Sequence, residues 1–233
     1  MKSNLTGKIA LVTGANGGLG THVTRALLDC GATVVGLSPN IQQSEFDHPG
    51  FIAWPAEISS AEAAKKAADG IMARLGKLDI LAHLVGGFAG GKTIAETDDA
   101  TFQRMFDLNL NSAFYILRAV IPQMRKAGAG CIIAIGSRAA EDPGPGAGAY
   151  SASKAALVAL IRTVAAENKN AGMTANVLLP GTMDTPANRR DMPNADPATW
   201  VQPSSVASLI TWLASDRGKD VNGAVIPVYG SGL

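Results

Sequence analysis

The feature that most constrains this chain is the alternation of short apolar segments with longer amphipathic ones along nearly its whole length. Seven apolar segments are predicted to be strands: residues 9–12, 33–37, 51–54, 78–84, 131–135, 175–179 and 224–228. They are continuously apolar, which is typical of strands covered by helices on both faces. The pattern predicts an α/β fold with a doubly wound parallel sheet of about seven strands and helices on both faces.

The segments between the strands have helical periodicity. Helices are predicted at residues 19–29, 60–75, 98–125, 151–168 and 204–214. Ser60 and Pro203 are start signals for two of them, and Gly31 is a stop signal for the first. No internal repeat, low-complexity tract or linker divides the chain, so a single domain covering residues 1–233 is expected.

Two segments interrupt the alternation. Residues 38–50 contain Pro39 and Pro49 and have room for only a turn or so of helix where a crossover helix is usual. Residues 182–200 contain several prolines and little apolar content. Loops this long in a compact domain are usually functional lids or disordered, so we interpret residues 182–200 as a lid over a substrate.

Charge and composition argue against several classes of protein. Lys and Arg number 20 and Asp and Glu 19, without any block of like charge, so no nucleic-acid partner is expected. No stretch approaches the ~20 uninterrupted apolar residues of a membrane span, and the N-terminal residues do not resemble a secretory signal. A cytoplasmic protein without membrane contact is therefore expected. Cys30 and Cys131 lack Cys-x-x-Cys spacing, which predicts reduced thiols and no metal site.

A glycine-rich turn follows the first predicted strand. Residues 13–20 are Thr-Gly-Ala-Asn-Gly-Gly-Leu-Gly and lead directly into a helix. Glycines let the backbone approach a pyrophosphate, and the helix N-terminus offers free N–H groups to it. A dinucleotide is therefore predicted to bind at Gly14, Asn16, Gly18, Leu19 and Gly20.

The choice of dinucleotide depends on the end of the second strand, where the chain has Ser38. An Asp or Glu there would bind a ribose 2′-hydroxyl, and a nearby Arg would bind a 2′-phosphate. The missing acidic residue very slightly favours NADP, but the missing Arg weakens that preference. The cofactor is thus predicted as NAD or NADP, with the choice open.

Ser137, Tyr150 and Lys154 form a candidate proton-transfer group. Tyr150 and Lys154 are four residues apart at the start of a predicted helix and so share one face. Lys154 is expected to lower the pKa of Tyr150 from about 10, because an ammonium favours a nearby phenolate. Ser137 follows the fifth predicted strand, at the edge where α/β sheets bind ligands, and its hydroxyl can bond a substrate oxygen.

Together these motifs resemble those of the short-chain dehydrogenase/reductase family, in order and in spacing. The shared features are the glycine turn at 13–20, Asn109 in Asp-Leu-Asn-Leu, Ser137, Tyr-x-x-x-Lys at 150–154, and Pro-Gly at 180–181. The resemblance covers essentially the whole chain. It implies a Rossmann-type fold, an NAD or NADP cofactor and a small-molecule carbonyl or alcohol substrate.

The resemblance also implies roles for individual residues. Tyr150 matches the proton donor or acceptor, and Lys154 matches the residue that lowers its pKa and holds the nicotinamide ribose. Ser137 matches the residue that orients the carbonyl, and Asn109 the residue that holds a proton-relay water. Further cofactor contacts are implied for Ser38, Glu57, Ile58, Val85, Gly86, Pro180, Gly181 and Thr185.

The chain departs from the family pattern after the fourth strand. The family usually has Asn-Asn-Ala-Gly, whereas residues 83–86 are His-Leu-Val-Gly. We interpret His83 as a hydrogen-bonded structural substitute rather than a catalytic group. The glycine-rich residues 86–91 resemble a loop of the dihydropteridine reductases, but that branch typically lacks the serine found here at position 137. Tyr229 stands where an Asp is frequent.

The sequence does not specify the substrate. Phe88 offers apolar area near the expected pocket. Arg138, Arg189 and Arg190 could bind an anionic group, although a solvated surface is the simpler interpretation.

Residues 155–161 are apolar on every side of their helix, which suggests contact with a second protein surface. The resemblance implies a homotetramer, and coverage by the chain's own loops is the alternative.

The sequence therefore predicts an NAD(P)(H)-dependent oxidoreductase that interconverts a ketone and a secondary alcohol, with a 3-oxoacyl-thioester reductase-like enzyme as one form of it. Two alternatives stay open: a pteridine or quinone reductase of the same family, and a non-catalytic NAD(P)-sensing binding protein.

Overall fold

The computed structural model describes residues 3–231 and contains a parallel sheet of seven strands. The strands are β1 (Ile9–Thr13), β2 (Thr33–Ser38), β3 (Phe51–Pro55), β4 (Ile80–His83), β5 (Gly130–Ile135), β6 (Met173–Pro180) and β7 (Val225–Val228). Each predicted strand is present, and the predicted fold class is confirmed. The predicted domain also includes residues 1, 2, 232 and 233, which lie outside the described range.

Helices lie on both faces of this sheet. The α-helices of residues 3–231 are α1 (Gly20–Asp29), α2 (Ala61–Leu75), α3 (Asp99–Phe106), α4 (Ser112–Ala127), α5 (Gly148–Asn168), α6 (Pro186–Asp191) and α7 (Pro203–Leu213). No helix within this range is sufficiently long and apolar to cross a membrane.

The two faces of the sheet form two separate cores. Leu11 and Leu81 pack on the face covered by α2, α4 and α5, whereas Val12 and Ala82 pack on the face covered by α1 and α7. Successive residues of a strand point to opposite faces, so each strand must be apolar at every position. This is why the strands were recognisable as continuous apolar segments.

The strand order creates a cleft at one edge of the sheet. In the order β3-β2-β1-β4-β5-β6-β7, strands β2 and β3 lie on one side of β1. The chain then crosses to the other side of β1, where β4 to β7 lie. Thr13 at the end of β1 lies beside Leu37 of β2 on one side and His83 of β4 on the other. Loops diverge at such a reversal and leave a crevice beyond the carboxyl ends of the strands. The glycine turn at 13–20 begins there.

The helix predicted at residues 98–125 differs from the observed structure. A π-helical segment, Asp107–Asn111, separates α3 from α4. A π turn contains one extra residue and so rotates the following side chains, and such turns are frequent at functional sites. Here Asn109, in the middle of the segment, is fully buried.

A buried hydrogen bond joins β1 to β4 at the cleft. The Thr13 hydroxyl lies 3.0 Å from Nδ1 of His83 and accepts a hydrogen bond of 3.2 Å from the Leu84 N–H. His83 is 1% exposed, and burial, assisted by the charge of Lys154, lowers its pKa to about 3. The imidazole is therefore neutral, which supports the structural interpretation of His83.

Replacing Thr13 with Val should reduce the free energy of unfolding by about 2 kcal/mol, because the buried imidazole loses its partner. Urea denaturation at pH 7 measures the change. Thr33→Val, at a half-buried position at the start of the neighbouring strand β2, is the control, and we expect a change within about 0.5 kcal/mol for it. Equal stability of Thr13→Val and wild type would contradict the importance of this bond.

Candidate active site

Ser137 and Tyr150 meet at the end of β5. Ser137 caps a short 3₁₀ turn, Arg138–Ala140, where its Oγ accepts a hydrogen bond of 3.2 Å from the Ala139 N–H. The α5 helix begins at Gly148, earlier than predicted, so that Tyr150 lies in its first turn. Ser137 acts on Tyr150 as a hydrogen-bonding partner that lowers the pKa of the phenol. The structure thus brings together two of the predicted groups.

Lys154 lies one turn further along α5. Its side chain is buried, and Nζ donates a hydrogen bond of 2.8 Å to the carbonyl oxygen of Ile135 on β5. Nζ is 6.0 Å from the centre of the Tyr150 ring. Burial lowers the pKa of Lys154 to about 8, because the charged form loses its hydration.

The pKa of Tyr150 does not follow the expectation from the sequence. Burial raises it above its usual value, and the hydrogen bond from Ser137 only partly opposes this effect. The expectation that Lys154 would lower the pKa of Tyr150 is therefore wrong. The reason is geometric, because the ammonium is directed at the Ile135 carbonyl oxygen rather than at the phenol.

Asn109 joins three parts of the site. Its side-chain oxygen accepts from the Gly87 N–H at 2.9 Å, and its Nδ2 donates to the Gly87 carbonyl oxygen and to Ser153 Oγ, both at 3.0 Å. Ser153 in turn donates to the Tyr150 carbonyl oxygen at 2.7 Å. Sequence reasoning missed Ser153, although its position three residues after Tyr150 places both on nearby faces of one helix turn. The relay-water role implied for Asn109 stays a prediction.

Gly86 fits a position where no side chain can be placed. A Cβ atom there would lie 2.8 Å from Oδ1 of Asn109 and 3.0 Å from Nζ of Lys154. The loop after β4 therefore passes directly over both groups only because residue 86 is glycine. This close approach accounts for the glycine retained from the family pattern.

The glycine turn has the geometry of a pyrophosphate cradle. Gly14 has φ +70°, and its N–H donates to the Leu37 carbonyl oxygen at 2.8 Å. No side chain caps α1, and its first turn has no acidic residue, so no carboxylate of this turn competes with an anion at the helix N-terminus. Leu19 at this N-terminus is buried. These features fit the pyrophosphate of a dinucleotide.

The other predicted cofactor residues lie along the same edge. Ser38 and Pro180 end β2 and β6, Ile58 is buried, Glu57 precedes it, and Val85 and Gly86 follow β4. A Cβ atom on Gly18 would lie 3.0 Å from the Thr185 side chain, so the lid and the glycine turn are in contact. A Cβ on Gly181 would lie 3.0 Å from the Tyr229 carbonyl oxygen. Most of these residues therefore lie at or just beyond the carboxyl ends of the strands, and their role in cofactor binding stays a prediction.

Residues 182–200, predicted to be a lid, are held together by side-chain bonds to Asp184. Arg189 donates to this carboxylate at 2.6 and 2.9 Å, and Gln202 donates at 3.2 Å. These bonds lower the pKa of Asp184 to about 2, and the bond from Arg189 has the largest effect. Arg138 is similarly paired with Asp142, at 3.0 and 2.9 Å. Both arginines have carboxylate partners, so the simpler interpretation of them as structural surface groups is supported.

Comparison with known proteins identifies the family. Residues 8–196 match the family model described as short chain dehydrogenase. The 7alpha-hydroxysteroid dehydrogenase of Escherichia coli (strain K12) is 31% identical over 98% of this chain and 95% of its own length. The 2-dehydro-3-deoxy-L-rhamnonate dehydrogenase (NAD(+)) of Sphingomonas sp. (strain SKA58) is 35% identical over 77% of this chain and 74% of its own length.

The chain belongs to the short-chain dehydrogenase family.

Solved structures share the fold of this chain. The crystal structure of gox2181 matches with a TM-score of 0.90 and 26% identity, covering 98% of this chain and 96% of that one. The 3-ketoacyl-(acyl-carrier-protein) reductase from Brucella melitensis, complexed with NADH, matches with a TM-score of 0.87 at 24% identity, covering 98% and 99%. This short-chain dehydrogenase is thus an oxidoreductase that uses NAD(H) or NADP(H) and acts on a hydroxyl or carbonyl group of a small molecule.

Because Lys154 is buried, the free energy of unfolding of this dehydrogenase should depend on pH in a defined direction. Its pKa is about 8 in the fold against an ordinary 10.5, so in that interval the unfolded chain binds more protons and the free energy of unfolding rises with pH. Relative to Lys154→Met, wild type should gain about 2 kcal/mol between about pH 8 and pH 10.

Urea denaturation of both proteins at several pH values checks this expectation. Lys169→Met removes an exposed lysine at the end of the same helix and is the control; its difference from wild type should stay constant across the series. A constant difference for Lys154→Met as well would show that the Lys154 pKa is ordinary.

Proposed function

We propose that this dehydrogenase interconverts a ketone and a secondary alcohol, with Tyr150 as general acid and base. The observation that supports the proposal is that Ser137 lies close enough to Tyr150 to affect its pKa by hydrogen bonding, with the Lys154 ammonium buried one turn away. Together these groups offer a hydroxyl for the substrate oxygen, a transferable proton and a positive charge at one point of the cleft.

Each residue has a separate task in this mechanism. The dinucleotide supplies or accepts the hydride when bound. Ser137 donates a hydrogen bond to the substrate oxygen as negative charge develops there, and Tyr150 transfers its proton to the same oxygen. Lys154 provides a positive charge near the phenolate that remains. Asn109, through Ser153, positions the first turn of α5 that carries Tyr150.

The raised pKa of Tyr150 favours one direction at neutral pH. Because burial keeps the phenol protonated, Tyr150 is ready to donate a proton, as carbonyl reduction requires. Alcohol oxidation requires the phenolate instead, and its rate should therefore increase towards alkaline pH.

The proposed cofactor contacts lie in the same cleft. We assign the pyrophosphate to the glycine turn and the N-terminus of α1, and the nicotinamide end to Lys154 and Thr185. The adenine end is assigned to Glu57 and Ile58, beyond β3. The support for this arrangement is that all of these residues lie along the carboxyl edge of the sheet.

The substrate class is suggested by Phe88. Its ring packs edge-on against Tyr150, with 5.0 Å between the ring centres, yet 66% of the side chain is exposed. An apolar surface beside the proton donor suits a ketone or alcohol with an apolar group next to it, and 3-oxoacyl thioesters are one such class. The glycine-rich residues 86–91 favour a pteridine or quinone as the alternative, but the presence of Ser137 argues against it. The intact Ser-Tyr-Lys set argues against a non-catalytic sensor.

Replacing Tyr150 with Phe should reduce turnover by at least about 10²-fold, because the hydroxyl that transfers the proton is lost while the ring and its contact with Phe88 remain. Steady-state assays with a panel of ketones, including 3-oxoacyl thioesters, diketones and quinonoid pterins, measure this loss. Fluorescence titration with NADH should give a dissociation constant within about threefold of wild type. Retained turnover in Tyr150→Phe would defeat the catalytic assignment.

We also propose that the protein is a homotetramer. Phe102 on α3 and Phe114 on α4 are 47% and 43% exposed, although both are large apolar side chains. Ala152, Ala155 and Ala159 form an exposed row on α5. Exposed apolar surfaces of this kind are typical of protein contacts, and a two-fold interface would pair each surface with its copy.

Replacing Phe114 with Asp should convert the tetramer to smaller species, because two-fold symmetry would place a pair of carboxylates in one apolar contact. Light scattering coupled to size-exclusion chromatography measures the mass. Met192→Asp, at an exposed apolar residue of the lid, is the control and should leave the mass unchanged. A monomeric wild type would contradict the proposal.

A further inference from the structure

The choice between NAD(H) and NADP(H) depends on the charges near the adenosine ribose, and two chain segments approach it. The glycine turn contributes residues 14–19, and the segment after β2 contributes residues 38–50. Neither contains Lys or Arg, whereas residues 38–50 contain Glu45 and Asp47. A 2′-phosphate carries nearly two negative charges and is usually bound by arginine or lysine. Neither segment provides such a partner.

The segment after β2 is held firmly although it lacks a crossover helix. The side-chain amide of Gln43 bonds two backbone groups of β3, accepting from the Ala53 N–H at 2.9 Å and donating to the Phe51 carbonyl oxygen at 2.8 Å. Ile41 and Phe46, on either side of Gln43, are both buried. Gln43 therefore pairs with the free edge of β3, and the short 3₁₀ turn Gln43–Glu45 has a fixed position.

This turn directs Glu45 towards the dinucleotide cleft. Its carboxylate accepts a hydrogen bond of 2.9 Å from the Gln42 N–H and lies 3.5 Å from Nδ2 of Asn16. Asn16 is in the middle of the glycine turn, and the Gly14 N–H of the same turn donates to the Leu37 carbonyl oxygen near the end of β2. Ser38, the residue at that end, is only 4% exposed and has no charge. A carboxylate is thus present beside the ribose position, but it comes from a different part of the chain.

We propose that Glu45 determines the specificity of this enzyme for NAD(H) over NADP(H). The inference rests on the proposed dinucleotide site and is opposite to the slight preference for NADP expected from the sequence. Glu45 takes the place of the acidic residue that is missing at the end of β2. Its carboxylate offers an acceptor to a ribose 2′-hydroxyl and repels a 2′-phosphate, whose charge no lysine or arginine of the two segments offsets.

Binding without substrate tests the proposal independently of catalysis. Dissociation constants for NADH and NADPH are measured by fluorescence titration at low ionic strength. Wild type should bind NADH at least about tenfold more tightly than NADPH. Glu45→Gln, which keeps an oxygen for the Gln42 N–H, should tighten NADPH about fivefold or more and change NADH by less than about threefold.

Asp47→Asn is the matched control. It removes the same charge from the same segment, two residues further along, and should leave the ratio of the two dissociation constants within about twofold of wild type. Glu45→Arg should reverse the preference, because it offers a cation to the 2′-phosphate.

The possible failures are distinguishable. A wild type that binds NADPH as tightly as NADH, or an unchanged ratio in Glu45→Gln, overturns the role of Glu45 and leaves the proposed reaction intact. An equal effect of Asp47→Asn would show a diffuse charge effect and also overturn it. A wild type that binds neither dinucleotide overturns the proposed function itself.

Discussion

The interaction on which the site depends is the burial of the Lys154 ammonium against the Ile135 carbonyl oxygen. A buried charge is costly unless it is hydrogen bonded, so this contact fixes α5 against the end of β5. Tyr150 is one turn from Lys154 on the same helix, and Ser137 is two residues beyond Ile135 on the same strand end. The approach of Ser137 to Tyr150 therefore follows from where the ammonium is held. Two neighbouring residues are also affected: a Cβ atom at position 86 would meet the Lys154 Nζ, and the Lys154 charge adds to the effect of burial in keeping His83 neutral.

Burial acts on the two titratable groups of the site in opposite directions. It raises the pKa of Tyr150 and lowers the pKa of Lys154 to about 8, and in both cases the uncharged form is favoured. The protein's own groups thus keep the phenol protonated rather than activating it as a base. A bound oxidised cofactor would bring a positive charge into the cleft, which would favour the Tyr150 phenolate. The water-poor surroundings strengthen each of these effects.

The sequence predicted the parts that depend on periodicity and on motif spacing. The strands were visible because both faces are buried, and Ser137, Tyr150 and Lys154 were visible because they lie at strand and helix ends. The π segment around Asn109 was not visible, since it is selected by the hydrogen bonds of one amide to Gly87 and Ser153, which are distant in sequence. The direction of the Tyr150 pKa was predicted wrongly for a similar reason. Spacing shows that Lys154 is near Tyr150, but only the structure shows that its ammonium bonds a backbone carbonyl.

Desolvation dominates at one end of the cleft, and screened electrostatic interactions dominate at the other. At the nicotinamide end the groups are buried, and desolvation determines their protonation states. At the proposed adenosine end Glu45 and Asn16 are exposed, so the effect proposed for Glu45 is electrostatic and screened by salt. The short connection between β2 and β3 explains the second arrangement, because without a crossover helix the edge of β3 is completed by the Gln43 side chain, and the turn that holds this side chain also carries Glu45. Ionic strength should therefore act on the choice of cofactor at one end of the cleft while leaving the proton-transfer groups at the other end unaffected.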